Sequence, residues 1–310
     1  MTLSVLICTF NRHELLARAL ASLMEGSEDR PQEVVIVNAG DDRADDVVGA
    51  YANRPGVEVK LVRIPNKNLA ANRNAGLAHC TCDIVAMTDD DAEVSPDWVG
   101  EMKRAHESHP EAGAVGGPVL GSNLERLVCR VAEMVTFPAW RTSRYVRTLP
   151  GVNISYKRAV LERVGFQDEA LFRGEDVDYN WRVKRAGYEV YFDPKIRVRH
   201  AHRNSLRGLL NQHYMYGRAY YLVRRKWPDM YCVYPHRFRR VKDVLKACNV
   251  VASLFYRPVL TAAKMPSALD KASALPILFG LGISWVGGML VEGLQQRVTG
   301  RTLQPGRSAT

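Results

Sequence analysis

"NLAANRNAGLAHCTCDIVAMTDDD", residues 68–91, is the stretch that decides the fold. Its first half reads as a helix opening at Asn68. Its second half is an apolar run, Ile84-Val85-Ala86-Met87, that passes through Thr88 into Asp89, Asp90 and Asp91. A short apolar run after a helix predicts a buried strand. The carboxylates at its end repel one another, which raises the pKa of at least one of them unless a cation intervenes. Three uses are open for such a cluster: a solvated strand end, a catalytic pair, or a divalent-cation site. Oxygen ligands of this kind suit Mg²⁺ or Mn²⁺, which in turn bridge phosphate oxygens.

Upstream, "LSVLICTF" (3–10) is an apolar, β-branched run read as the first strand. Leu15, Leu16, Ala19, Leu20 and Leu23 then recur at helical spacing, so the first helix starts after Asn11. "EVVIVNAGDD" (33–42) is a second strand with a polar end, and "VEVKLVRIP" (57–65) a third by alternation. Strands alternating with helices predict an α/β fold with a parallel sheet covered by helices. Ligands bind such sheets beyond the carboxyl ends of the strands. The polar residues obey that rule: Thr9, Asn11 and Arg12 end strand one, Asn38, Asp41 and Asp42 end strand two, and the Asp triplet ends strand four. No GxxxxGK[ST] loop is present, which excludes a P-loop NTPase. The lack of GxGxxG after strand one argues against a dinucleotide enzyme.

Downstream, "TFPAWRTSRYVRTLPG" (136–151) reads as a loop carrying Arg141, Arg144 and Arg147, which either flank a ligand or form a solvated face. "VNISYKRAVLERVG" (152–165) is a strand running into a helix. In "GEDVDYNWR" (174–182) a helix starting near Gly174 puts Glu175, Asp176 and Asp178 in its first turn. There they either compensate the helix dipole or supply a general base for an acceptor hydroxyl. "RVRHAH" (197–202), taken as a strand, turns His200 and His202 to one face. A His joined to two Asp suits Mn²⁺ somewhat better than Mg²⁺.

The chain has 310 residues, 46% apolar and 25% charged, ordinary for a globular protein and enough for one large domain with an appendage or for two. Its formal charge of +10 points to an anionic partner. Six Cys without a CxxC pair, and a start on a strand pattern rather than a basic-then-apolar leader, predict no signal peptide and a reducing, cytoplasmic compartment. From about residue 204 the segments become long and basic. "ALPILFGLGISWVGGMLV" (274–291) holds no charged residue and reaches the lower length limit of a membrane helix. Two readings are open: a hydrophobic helix packed on a neighbour, or membrane contact, spanning or interfacial. "HRFRRVKDVLK" (236–246) beside it suits an anionic leaflet, so a cytoplasmic membrane face is expected.

The ordered set "VLICTFNR", "NKNLAANRNAG", "TDDDAE", "GEDVDYNWRVKRAGY" and "RVRHAH", spread over about residues 3–205, resembles the family 2 glycosyltransferases. The resemblance implies a GT-A, Rossmann-like mixed sheet with helices on both faces over 1–205, a nucleotide-sugar half (about 1–115) and an acceptor half (about 116–205). Residues 206–310 would add a helical, membrane-associating region. It further implies inverting transfer of one sugar from a nucleoside-diphosphate sugar to a glycan or lipid-linked acceptor of the cell envelope, with Mn²⁺ or Mg²⁺ as cofactor and no nucleic-acid partner. Asp89-Asp90-Asp91 resembles the DxD motif: Asp89 would contact the ribose or the metal, Asp90 would turn the chain or touch the ribose, and Asp91 would bind the metal. Thr9, Asn11, Arg12, Asn68 and Arg73 correspond to the donor-site lining. Asp176, with Glu175 beside it, is similar to the motif that supplies the base. His200 matches a third metal ligand, with His202 as the alternative. One departure is plain: where relatives carry an acidic pair before a glycine, this chain has Asn38-Ala39-Gly40-Asp41. Asn38 or Asp41 would then meet the nucleobase, and UDP, dTDP and GDP all stay open. There is no QxxRW box, which implies a single addition rather than a polymerase. Two rival classes stand beside this: a nucleotidyltransferase using paired Asp and a metal, and a non-catalytic basic membrane-binding protein.

Overall fold

A computed structural model describes residues 1–27, 29–40, 43–52, 54–137, 140–230 and 241–299. It divides the chain into two compact units. The first comprises residues 1–122 and 137–201; the second comprises 123–136 and the described residues from 202 onward.

The first unit begins as the hydrophobic pattern predicts. Strand β1 (Leu3–Thr9) leads into α1 (His13–Met24), β2 (Glu33–Asn38), the short α2 (Ala44–Gly49), β3 (Glu58–Arg63), α3 (Leu69–Leu77) and β4 (Ile84–Asp89). Asn68 caps α3, its side-chain oxygen accepting from the Ala71 N–H at 2.9 Å, which is why the helix starts there. After β4 come β5 (Ala92–Val94), α4 (Trp98–Ser108), β6 (Ala112–Gly116) and β7 (Val119–Gly121). Helix α5 (Leu127–Val135) belongs to the second unit. Then β8 (Arg144–Val146), β9 (Ile154–Lys157), α6 (Arg158–Val164), α7 (Glu175–Arg185), β10 (Glu189–Phe192) and β11 (Val198–His200) complete the first.

Eight strands form one sheet in the order β3-β2-β1-β4-β9-β6-β10-β8. The four N-terminal strands are parallel, as the strand–helix alternation requires. β9 runs antiparallel to β4 and β6, and β8 antiparallel to β10, so the whole sheet is mixed. Alternate side chains feed two cores. Val5, Ile7, Ile36 and Ala86 meet Leu16 and Leu20 of α1 and Trp98 of α4 on one face. Leu6, Val37, Val85 and Met87 meet Leu77 of α3, Val160 of α6 and Tyr179 of α7 on the other. Helices therefore cover both faces. A smaller sheet, β5-β11-β7, pairs His200 with Ala92.

Three expectations need correction. The stretch 136–151 is not all loop: Arg144–Val146 forms edge strand β8, pairing Tyr145 with Tyr191. The last strand stops at His200, so the period-two argument that put His202 on the same face does not apply. Residues 123–136 group with the C-terminal helices rather than with the 116–205 half, because Val131 and Ala132 pack with Leu209, Leu278 and Leu281.

The second unit consists of α5, α8 (Leu206–Lys226), α9 (Val241–Ala262) and α10 (Ala268–Thr299). Ser205 caps α8 by accepting from the Gly208 N–H at 3.2 Å. Where α8 meets α10, a Cβ on Gly217 would land on the carbonyl oxygen of Trp285, and one on Gly288 on that of Tyr214. Glycine at both points lets the two backbones touch. Glu292, buried on α10, accepts from Arg218 of α8 at 2.9 Å. Among the described residues α10 is the one helix long and apolar enough to cross a membrane, by length and composition.

Candidate functional site

The parallel registers bring the carboxyl ends of β1, β2 and β4 side by side: Thr9 pairs with Asn38, and Cys8 with Asp89. The three neighbouring Asp side chains go different ways. Asp90 turns inward and is buried; it accepts from the Thr9 hydroxyl at 2.8 Å and from Arg12 Nη1 at 3.2 Å. Burial pushes its carboxyl up to about 6, opposed by Thr9 and Arg12 and assisted by the charges of Asp91 and Asp89. One carboxyl of the triplet is thus raised, as predicted, but burial outweighs mutual repulsion as the cause. Asp91 is half-buried between Arg12 and His200. Its Oδ2 accepts from Arg12 Nη1 at 3.2 Å, and its Oδ1 lies 3.2 Å from Nε2 of His200. The ring of His200 sits edge-on to Phe137, 5.8 Å between centroids.

Asp89 points to Arg73. This arginine is 3% exposed on α3, and each arm of its fork holds one carboxylate: Nη2 donates to Asp89 at 3.0 Å and Nη1 to Glu175 at 3.0 Å. Burial works against its charge, but Asp89 and Glu175 outweigh it and hold its pKa above the ordinary value. Beneath the site, burial pushes the Cys8 thiol up to about 12, so it is a neutral filler.

The second acidic group lies where the sequence puts it, in the first turn of α7. Its members separate as well. Asp178 is fully buried and pairs with Arg182 at 3.1 Å, a structural ion pair one turn apart. Asp176 is partly exposed; its Oδ2 accepts from the Gly151 N–H at 3.2 Å and its Oδ1 from the Val177 N–H at 2.7 Å. Burial raises the pKa of Asp176, with Arg73 opposing. Burial also raises Glu175, helped by the charge of Asp176 and opposed by Arg73.

Other residues singled out from the sequence have structural partners. The Asn38 amide oxygen accepts from the Gly40 N–H at 2.9 Å and its nitrogen faces Asp45 at 3.5 Å, so its carbonyl is already used within the strand end. Asn11 adopts a left-handed backbone (φ 53°) that turns β1 into α1. Besides capping α3, Asn68 donates to the Glu169 carbonyl at 2.6 Å. Asp41 lies outside the described residues. Arg144 covers the Trp140 ring at 5.9 Å. His202 belongs to the second unit, where it is buried and meets Glu133 at 2.6 Å, its backbone pinned by Asn123. Asp91 and His200 come together, whereas Asp89 turns to Arg73. Among the described residues, no three His, Cys, Asp or Glu side chains converge as a metal cage.

Gly151 is the participant that sequence reasoning passed over. It holds Asp176 through its N–H, and a Cβ there would lie 2.5 Å from Arg73 Nη1. In "TLPGVN" such a glycine signals only a turn.

Comparison with known proteins gives concordant results. A family model described as "Glycosyl transferase family 2" matches residues 4–163, and one described as "Glycosyl transferase family group 2" matches 84–290. A pre-mycofactocin glycosyltransferase of Mycobacterium tuberculosis is 29% identical over 243 residues, 73% of this chain and 48% of that protein. The chain thus spans about half the length of that relative. A glucosyl-dolichyl phosphate glucuronosyltransferase of Haloferax volcanii is 27% identical over 217 residues, 64% of this chain and 69% of that one. Among solved structures, the mannosyltransferase PcManGT from Pyrobaculum calidifontis, in complex with GDP-Man and Mn²⁺, aligns over 97% of this chain and 88% of its own, with TM-score 0.62 and 18% identity. The fold is the GT-A fold.

Proposed function

Because this chain belongs to glycosyl transferase family 2, we propose that it is an inverting glycosyltransferase that moves one sugar from a nucleoside-diphosphate sugar to an acceptor hydroxyl. The observation that carries this reading is the gathering of two acidic groups, remote in sequence, around the strand ends: Asp89 and Glu175 share the buried Arg73, Asp176 stands next to Glu175, and Asp91 faces His200. A donor diphosphate beyond β1 and β4 would lie near Thr9, Arg12, Asp89 and Asp90, with Arg12 supplying positive charge. Asp176 would take the proton of the acceptor hydroxyl as that oxygen attacks the anomeric carbon, and the bond to the nucleoside diphosphate breaks on the opposite face.

The donor set fits a divalent cation of the Mn²⁺ kind. Asp91 and His200 offer one hard oxygen and one imidazole nitrogen 3.2 Å apart, and a cation held by few protein groups takes its remaining ligands from phosphate and water. When bound, such an ion neutralises charge on the departing diphosphate. The mannosyltransferase neighbour, bound to GDP-Man and Mn²⁺, supports this reading. Asn38, whose amide oxygen already accepts from the Gly40 N–H, and Asp41 are the groups that would choose among UDP, dTDP and GDP.

The acceptor side is read from the second unit. α10 has the length and apolarity of a membrane helix, and α9 exposes Leu245, Val251, Phe255, Val259 and Leu260. We propose that the enzyme works at the cytoplasmic face of a membrane on a lipid-linked or cell-envelope acceptor; the dolichyl-phosphate relative supports that class. The decisive experiment is a thermal-shift screen of UDP, dTDP and GDP with and without Mn²⁺. One of them should raise the melting temperature only with the metal, and Asp91→Ala should abolish that shift. No shift with any nucleotide would sink the proposal.

A further inference from the structure

Arg73 sits where three chain segments meet: the end of β4 at Asp89, the turn at Gly151 and the start of α7 at Glu175 and Asp176. We infer that Arg73 is a positioning residue that ties the donor-side carboxylate Asp89 to the base-side pair Glu175–Asp176, so that the two halves of the site are held in one register. The inference rests on the glycosyltransferase reading above. Both arms of the guanidinium are occupied, each by one carboxylate at 3.0 Å, and the group is almost wholly shielded from water. It therefore has little left to offer a nucleotide directly.

Geometry explains why an arginine is needed. A planar fork presents two donor arms in fixed directions, whereas the ammonium of a lysine is a single point. The carboxylates come from elements with no covalent shortcut, β4 and α7, and the fork is their shared contact. Gly151 makes room for it: a methyl group there would stand 2.5 Å from Nη1 and 2.9 Å from Cζ, and its N–H carries Asp176 at 3.2 Å. Moving the guanidinium thus disturbs Asp89, Glu175 and the peptide that orients Asp176. Misplacing catalytic groups by an ångström costs turnover far more than binding.

The test compares wild type with Arg73→Lys, Gly151→Ala, the double variant and Asp176→Asn. Hydrolysis kinetics use whichever of UDP-glucose, UDP-N-acetylglucosamine, dTDP-glucose and GDP-mannose the chain cleaves fastest with Mn²⁺. Calorimetry gives the Kd of the matching nucleoside diphosphate. Arg73→Lys and Gly151→Ala should each lower kcat at least about tenfold while donor KM and nucleotide Kd stay within about threefold. The double variant should be no worse than the poorer single, because both break one tie. If Arg73→Lys fails to fold, Gly151→Ala, which retains every charge, decides alone. Unchanged kcat would overturn the inference. So would a loss matched by an equal rise in Kd, which would make Arg73 a donor-binding group. Wild-type turnover in Asp176→Asn would strike the base assignment instead, leaving the tie to be judged by the Arg73 and Gly151 variants.

Discussion

Asp176 carries the sharpest single-residue expectation. It must be ionised to accept a proton, yet burial raises its pKa above the ordinary aspartate value. Ionised base is therefore lost as pH falls through that raised value, and the acid limb of kcat should lie above the range of a solvated aspartate. Asp176→Asn should remove at least about 10²-fold of turnover, measured by release of nucleoside diphosphate. A second residue tests stability alone. His106 is buried against the Ser155 hydroxyl at 2.9 Å, and desolvation lowers its pKa to about 3. Between pH 6.5 and 3 the unfolded chain binds a proton there that the native chain refuses. Stability is then lost on acidification, at up to about 1.4 kcal/mol per pH unit. Urea midpoints across that window should fall less steeply in His106→Gln than in wild type. At this scale the sequence singled out these carboxylates as candidates but not the directions their side chains take. Three adjacent Asp look alike in a string; the strand's pleat and the turn after it send Asp89 to Arg73, Asp90 to Thr9 and Asp91 to His200.

Among the elements, those with a strong period were legible. β1, β2 and β4 are buried, largely apolar runs, and α3 and α7 begin at the expected Asn68 and Gly174. The short edge strand β8 was not, because "RYV" within an arginine-rich stretch carries no period; only Val146 is buried, and pairing with β10 makes it a strand. The end of β11 at His200 was equally hidden, since His200 and His202 differ in their surroundings, not in their residue type. The α8–α10 contact makes an element-scale prediction. Gly288→Val would drive a side chain into the Tyr214 carbonyl and force the helices apart. It should cost about 1–3 kcal/mol of stability, seen as a lower urea midpoint, while Gly287→Ala, which meets nothing within 4 Å, should be nearly silent.

At the scale of the whole molecule, charge and apolar surface point the same way. A chain of net charge +10 that exposes Val251, Phe255 and Leu260 on α9 should prefer anionic bilayers. Replacing Phe255 and Leu260 together by Asp should reduce sedimentation with phosphatidylcholine–phosphatidylglycerol vesicles at least about tenfold, since each buried apolar side chain is worth about 1.5–3 kcal/mol. The same variant should leave the thermal shift with nucleotide intact. Composition carries the charge on which this prediction rests; the division of the chain was beyond it, because nothing in "LVCRVAEMV" says which neighbours its apolar face will find. That division has a practical consequence. Among the described residues the backbone leaves the first unit at residue 122, re-enters at 137 and leaves again after 201, so three passages of the chain join the two units. A single cut after residue 201 leaves residues 123–136 of the second unit attached to the first. A protein ending at residue 205 would keep α5 but strip it of Leu209, Leu278 and Leu281, turning Val131 and Ala132 out to water as a sticky remnant.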